Sequence, residues 1–306
     1  MRKISERMIG IFDSGVGGLS VFREIRRLLP GEDYIYYADN ANCPYGDRPA
    51  EFVIGRAREI TELLIREGAQ IIVVACNTAT AAAINTLRAE YSDKRSADVR
   101  ERMLRLSGGR QDHIMFIGME PAVKAAAKLT RSGVVGVLAT AGTLHGEKYI
   151  STRDHYTAGV TVVEHIGEGF VELVESGETS GKRAESVVDR SLRPLLDAGA
   201  DIIVLGCTHY PFLSDTIRKV ASGIAPDREI RILDPAPAVA RHLLDVMEEE
   251  GLYGCPSDAE GGQTGSGTED GQAGGGTGHT DSTAGGSVRL LASGPADTLL
   301  RLYSTL

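Results

Sequence analysis

Two stretches decide the fold: Leu64-Ile65-Arg66-Glu67-Gly68-Ala69-Gln70-Ile71-Ile72-Val73-Val74-Ala75-Cys76-Asn77-Thr78 and Leu195-Leu196-Asp197-Ala198-Gly199-Ala200-Asp201-Ile202-Ile203-Val204-Leu205-Gly206-Cys207-Thr208-His209. Each reads as a helix end, a Gly-Ala turn, a four-residue apolar strand, one small residue and then a cysteine. The two cysteines stand 131 residues apart. A fainter echo, at 126 residues, joins Gly10-Ile11-Phe12-Asp13-Ser14-Gly15 to Gly136-Val137-Leu138-Ala139-Thr140-Ala141. The economical reading is two domains of related topology, each presenting one thiol from the end of a strand.

Outward from this repeat, short β-branched runs alternate with longer amphipathic segments. Strands are expected at 9–12, 34–37, 71–75, 114–117, 134–138, 160–164, 202–205, 230–233 and 288–292, and helical patterns at 19–29, 49–66, 121–130, 182–197 and 236–250. Apolar strands separated by helices imply parallel sheets covered on both faces. The expected fold is therefore α/β, with two pseudo-symmetric domains, each a mostly parallel sheet flanked by helices, and the active site in the cleft between them. The first domain is read as discontinuous, 1–112 and 233–306, and the second as 113–232. In such sheets ligands sit beyond the carboxyl ends of the strands, so the residue after each strand is where chemistry is sought.

Two stretches read as insertions. Residues 92–112 carry six Lys/Arg and four Asp/Glu with few apolar residues, a pattern for a short helix with solvated ends. Residues 255–287 hold no Val, Ile, Leu, Met or aromatic residue and are read as a disordered Gly-rich loop, because they bury too little surface to offset ordering entropy. That loop has five acidic and no basic side chains, so the net charge of −9 leaves only −4 on the folded body. Neither figure suits a protein that coats nucleic acid. Four cysteines in 306 residues are too few for a disulfide scaffold. No apolar run approaches the ~20 residues of a membrane span. A cytoplasmic protein with reduced thiols, without a membrane partner, is expected.

What can a pair of strand-end thiols do? A cysteine is usually a buried hydrophobe, but Cys76 and Cys207 are each followed at once by hydrogen-bonding residues, Asn77-Thr78 and Thr208-His209. Zinc wants three or four ligands at short spacing, and only His209 lies close to either cysteine in sequence, so no metal is expected. No C-x-x-C motif supports a redox pair. A two-base mechanism fits better: one thiolate removes a proton from one face of a carbon acid while a thiol opposite donates one. Pyridoxal phosphate needs a Schiff-base lysine, and no lysine falls at a strand end, so no cofactor is expected. Asp13-Ser14-Gly15-Val16-Gly17-Gly18 offers a tight turn and free helix N–H groups to a carboxylate, but Ser20 breaks the dinucleotide spacing. Asp13 has a plainer reading as a turn-former, and His209 as a structural histidine. Cys43 and Cys255 are assigned no chemistry.

Taken together, Asp13-Ser14-Gly15-Val16-Gly17-Gly18, Pro44-Tyr45-Gly46, Ala75-Cys76-Asn77-Thr78 and Gly206-Cys207-Thr208-His209-Tyr210-Pro211 resemble the glutamate racemase family of the aspartate/glutamate racemase superfamily. The resemblance implies cofactor-independent interconversion of L- and D-glutamate, a peptidoglycan precursor supply and a homodimeric assembly. It implies Cys76 as the base for the D-enantiomer, assisted by Asp13, and Cys207 as the base for the L-enantiomer, assisted by His209. Glu175 is the best match for a carboxylate supporting that histidine, although Gly167-Glu168 stands where the family often has Cys-Pro. Substrate contacts are expected from Asp13, Ser14, Tyr45, Gly46, Asn77, Thr78, Thr208 and His209. The alternatives are a racemase for aspartate or another amino acid, and a secondary, non-catalytic inhibition of DNA gyrase.

Overall fold

The apolar runs become strands because both of their faces are covered. In the run at 71–76, Ile71 and Val73 pack into one buried cluster and Ile72, Val74 and Cys76 into another, the period-two alternation of a strand inside a layered sheet. The computed structural model describes residues 8–252, 277–283 and 286–306. Its strands are β1 (Met8–Asp13), β2 (Asp33–Ala38), β3 (Ala69–Val74), β4 (Met115–Gly118), β5 (Val134–Ala139), β6 (Thr161–Ile166), β7 (Ile202–Gly206), β8 (Arg231–Leu233), β9 (Thr277–Thr283) and β10 (Gly286–Ala292). They form two sheets, ordered β4-β3-β1-β2-β10-β9 and β6-β5-β7-β8. Every pairing is parallel except β10 with β9.

The sequence repeat is also a spatial one. β3 lies beside β1 in the first sheet, as β7 lies beside β5 in the second. Gly68 and Gly199, the matched turn glycines, have φ of +102° and +95°, a left-handed conformation that side chains with a Cβ resist. The fainter echo has a packing reason. A Cβ on Gly10 would stand 3.2 Å from Leu64 Cδ1, and one on Gly136 would stand 3.1 Å from Leu195 Cβ. Leu64 and Leu195 are themselves matched by the repeat, so in both halves the same helix end presses on a bare central strand.

Two expectations need correction. Residues 115–118 were assigned to the second domain, which was to begin at 113, yet β4 pairs with β3 and belongs to the first sheet. The chain leaves β3 through the helices Asn77–Tyr91 and Ala97–Leu106 and returns to the free edge beside the strand it left. Disorder across 255–287 fails for β9, which pairs antiparallel with β10 from Gly286↔Thr283 to Ala292↔Thr277. Composition counts side chains available for burial, whereas an edge strand is held by its backbone ladder, here joined by the Tyr303 hydroxyl on Asp281 at 2.9 Å. Cys255 and the rest of that stretch through 276 lie outside the described residues.

The charged segment at 92–112 does contain a short helix. Ser96 Oγ accepts from the Val99 N–H at its start, Val99 and Met103 are buried, and Arg100 and Arg102 pair outward with Asp112 and Glu90. No helix among the described residues is long and apolar enough to cross a membrane.

Candidate active site

The site grows from the ends of β1, β3 and β7. Ladder bonds run to the last residue of β1, with Asp39 N–H on Asp13 C=O at 2.9 Å and Ala75 N–H on Phe12 C=O at 2.8 Å. This fixes Asp13 between its two neighbours. Its Oδ2 accepts from the N–H groups of Gly18 (3.0 Å) and Gly15 (3.2 Å), so the carboxylate folds the loop that follows it. Asp13 therefore forms the turn, as its plainer reading has it, and its carboxylate also lies beside Cys76. Burial pushes its acidity weaker than that of an ordinary aspartic acid, against the opposing pull of His209 and the two N–H groups.

Cys76 caps the helix Asn77–Tyr91, its Sγ accepting from the Ala79 N–H at 3.4 Å, and its thiol lies 3.8 Å from Ser14 Oγ. A helix N-terminus supports a thiolate. Burial nevertheless holds the Cys76 pKa well above the usual thiol range, with the Asp13 charge adding to it. A charge on Cys207 raises it further, so the two sulfurs sense each other.

Around Cys207 the chemistry is different. Its Sγ lies 3.7 Å from His209 Nδ1, and His209 Nε2 lies 2.7 Å from Glu175 Oε1. Burial by itself would lower the His209 pKa, but hydrogen bonds to Cys207, Cys43 and Glu175 outweigh it and hold the imidazole well above its ordinary value. Glu175 comes from the helix Phe170–Ser176 and also accepts the Val16 N–H at 2.9 Å. Burial would raise its pKa, and the His209 contact pulls it below the usual carboxylate range. The imidazole lies against the glycine loop, where a Cβ on Gly17 would stand 2.4 Å from Nδ1.

These strand ends meet across the two sheets. Thr208 Oγ1 donates to Asp13 Oδ1 at 3.4 Å, and Ser20 Oγ donates to the Thr208 carbonyl at 2.9 Å. A second bridge joins Thr78 Oγ1 to Thr140 Oγ1 at 2.9 Å, and the Gly142 N–H to the Gly46 carbonyl at 3.1 Å. Asn77 Nδ2 is buried without a hydrogen-bond partner among the described residues. Both thiols are nearly sealed, at 4% exposure for Cys76 and 7% for Cys207. A cavity of about 170 Å³ between the halves is lined by Pro44, Gly46, Thr140, Gly167, Glu172 and Tyr210, and neither cysteine lines it.

A family model described as Asp/Glu/Hydantoin racemase matches residues 111–243. The glutamate racemase of Herpetosiphon aurantiacus is 44% identical over 238 residues, covering 78% of this chain and 84% of that one. The chain belongs to the glutamate racemase family. Among solved structures, that of the Thermus thermophilus glutamate racemase, in complex with β-chloro-D-alanine, has a TM-score of 0.69 at 30% identity and covers 98% of this chain and 94% of that one. The Escherichia coli glutamate racemase, in complex with L-glutamate and the activator UDP-MurNAc-ala, has a TM-score of 0.64 at 32% identity, covering 79% of this chain and 82% of that one. Membership makes this chain an amino-acid racemase, an isomerase.

Within that family frame, the structure brings Asp13, Ser14, Cys76, Thr208, Cys207, His209 and Glu175 into one connected set of contacts. Tyr45 is placed differently. Its ring is buried and its hydroxyl is taken by Asp39, which also receives a two-pronged bond from Arg56. Gly46 contacts Thr140 and Gly142 rather than either sulfur. Sequence reading missed Val16, Ser20, Thr140 and Thr143, whose Oγ1 lies 3.4 Å from Thr78 Oγ1, as bridging groups, because nothing local to them reports a partner in the other half. It also missed Cys43, whose thiol donates to Glu175 Oε1 at 3.7 Å. Burial pushes that thiol up to about 11. The expectation of no metal ligands rested on short sequence spacing, yet ligand atoms of Cys43, Glu175 and His209 lie within 4.8 Å of one another.

Proposed function

We propose that this chain interconverts L- and D-glutamate without a cofactor, using Cys76 and Cys207 as paired acid and base. The observation that carries the reading is the asymmetry of the two thiols: matched strand ends, one beside a carboxylate and one beside an imidazole–carboxylate pair. A racemase needs such a pair, because the proton leaves one face of the α-carbon and returns on the other. When Cys207 is the base, His209 supplies a hydrogen bond to its sulfur and Glu175 orients the ring. When Cys76 is the base, the Asp13 carboxylate takes the thiol proton that frees the Cys76 sulfur to accept the α-proton, and its weakened acidity suits it to hold that proton.

Substrate binding is supported by donors left pointing inward. The unpartnered Asn77 Nδ2 and the helix start beside it suit a carboxylate. The Escherichia coli relative, described with L-glutamate bound, supports glutamate for this chain too. The sealed thiols imply that substrate arrives by parting the Thr78–Thr140 and Gly46–Gly142 bridges, and that water is excluded once they re-form. The product would serve peptidoglycan synthesis in the cytoplasm, a role that rests on family membership.

The test is turnover of L-glutamate in D₂O by chelator-treated protein with no added cofactor. Loss of circular dichroism together with α-deuterium in the product is expected. Optical activity and α-proton both retained, or turnover confined to aspartate, would reject the assignment.

A further inference from the structure

We propose that Cys43, Glu175 and His209 form a binding site for a thiophilic divalent cation such as Zn²⁺, and that its occupation arrests the racemase. A thiolate, a carboxylate and an imidazole nitrogen make a three-ligand set with a fourth position left for water. Glu175 Oε1 lies 2.7 Å from His209 Nε2 and 3.7 Å from Cys43 Sγ, and all three ligand atoms fall within 4.8 Å. Zinc–ligand bonds of ~2.0–2.3 Å in a tetrahedron set neighbouring ligand atoms roughly 3.3–3.7 Å apart, so the cation requires the Glu175–His209 contact to spread from 2.7 Å, while Glu175–Cys43 already stands at 3.7 Å and the Cys43 and His209 ligand atoms lie within 4.8 Å of each other.

The surroundings favour it. Val16 N–H already holds Glu175 Oε1, and Cys207 holds the other ring nitrogen of His209, the outer contacts that orient ligands in metal sites. Gly15 leaves the room: a Cβ there would stand 2.1 Å from Glu175 Oε1 and 3.1 Å from Cys43 Sγ. The cluster opens on the Glu175 and Cys43 side, where the Glu175 side chain is 24% exposed and Cys43 is half-buried, whereas His209 and the two strand-end thiols are sealed. On binding, the Cys43 thiol proton and the proton shared by His209 Nε2 and Glu175 leave to solvent, and the cation takes the Nε2 lone pair. His209 then keeps its Nδ1–H on Cys207 but can no longer relay a proton between Cys207 and Glu175, so inhibition rests on the two-base reading, while binding does not.

Metal-free protein titrated with Co²⁺ reports the site directly. Wild type is expected to develop thiolate-to-cobalt charge-transfer absorption at one equivalent. Cys43→Ser, with its fold checked by far-ultraviolet circular dichroism and Cys43→Ala as the second variant, should lose that band and bind about tenfold or more weakly. Cys207→Ala should keep it. Zn²⁺ should inhibit wild-type racemisation reversibly with EDTA, with at least a tenfold higher inhibitory concentration for Cys43→Ser. A band absent from wild type, surviving in both Cys43 variants, or lost in Cys207→Ala overturns the proposal. A band with no glutamate turnover would leave the site standing and remove the racemase reading instead.

Discussion

The two cysteine-bearing strand ends share a backbone and differ in what stands beside the sulfur. At Cys76 the neighbour is a buried carboxyl whose acidity is weakened; at Cys207 it is a histidine whose pKa is raised by its hydrogen bonds to Cys207, Cys43 and Glu175, the last a carboxylate whose acidity is strengthened. The repeat thus fixes where each thiol goes, and other segments decide what each can do. Asp13 is the last residue of β1, inside the first sheet, and Glu175 comes from a helix with no counterpart in the repeat. The halves are also cross-wired, because the end of β1 and the loop after it serve both thiols: Asp13 faces Cys76 and Thr208, while Val16 holds Glu175. Symmetry of fold with asymmetry of charge is what a catalyst needs if one sulfur is to be a thiolate while the other is a thiol.

The largest effect should come from breaking the comparison outright. Cys76→Ser and Cys207→Ser should each lower glutamate racemisation about 10³-fold or more, measured by circular dichroism in both directions, because a hydroxyl is far too weak an acid to replace the thiol. Near-normal turnover in either single variant would mean that one sulfur suffices.

A subtler pair of substitutions sharpens the contrast. The folded pKa of Asp13 is raised, chiefly by burial, so the stability linked to it is fully present below the unfolded value near 3.8 and is lost as pH rises through the folded value. Ionisation of Asp13 therefore works against folding. The folded pKa of Glu175 is lowered because the contacts with His209, the Val16 N–H and Cys43 together outweigh burial, so its contribution is present above 4.5 and is lost as pH falls through the folded value. Replacing each acid by its amide at pH 7 should move stability in opposite directions. Asp13→Asn should raise Tm by roughly 2–4 °C per kcal/mol gained, and Glu175→Gln should lower it by a comparable or larger amount. Both should lower kcat, about 100-fold for Asp13→Asn and about 10-fold for Glu175→Gln. Thermal melts of the two variants giving shifts of the same sign would dissolve the distinction between the strand ends.

How far this was legible in the sequence follows the range of the forces involved. Nine strands announced themselves through local β-branched runs, and the cysteine pair through the repeat, because both signals are contained within about 15 residues. β9 was not legible, since Thr277–Thr283 is held by main-chain bonds and carries no apolar signature. The membership of β4 was misread because pairing beside β3 is decided by the path of the intervening helices, not by its own residues. Within the site, the contact of Glu175 with His209 was reachable only through the family resemblance, and Cys43 beside them not at all, as 132 residues separate it from Glu175. Tyr45 is the instructive case. Its motif marks the right loop, but a buried Asp39 paired with Arg56 gives its hydroxyl a stronger partner than the site offers. Tyr45→Phe should accordingly cost about 1–2 kcal/mol of stability by denaturant melt while leaving KM for glutamate within about twofold. A KM raised tenfold at unchanged stability would return Tyr45 to the substrate.

The smallest expected effect tests the cross-wiring. Ser20 Oγ, 1% exposed, donates to the Thr208 carbonyl and is the side-chain link from the first helix to the Cys207 turn. Removing it leaves a buried carbonyl without that donor, a loss of about 1 kcal/mol. If the link merely adds stability, Ser20→Ala lowers Tm by roughly 2–4 °C and leaves both directions of turnover equally affected. If it also sets the position of the Cys207 turn relative to the α-carbon, the ratio of kcat/KM for the two enantiomers still cannot change, because the equilibrium between them is fixed at unity. What can change is the separate kcat and KM of each direction. The expected signature is therefore a matched fall in kcat and KM for one enantiomer with the other nearly untouched, measured from full progress curves started at each end. Equal changes in both directions would reduce Ser20 to a structural tether.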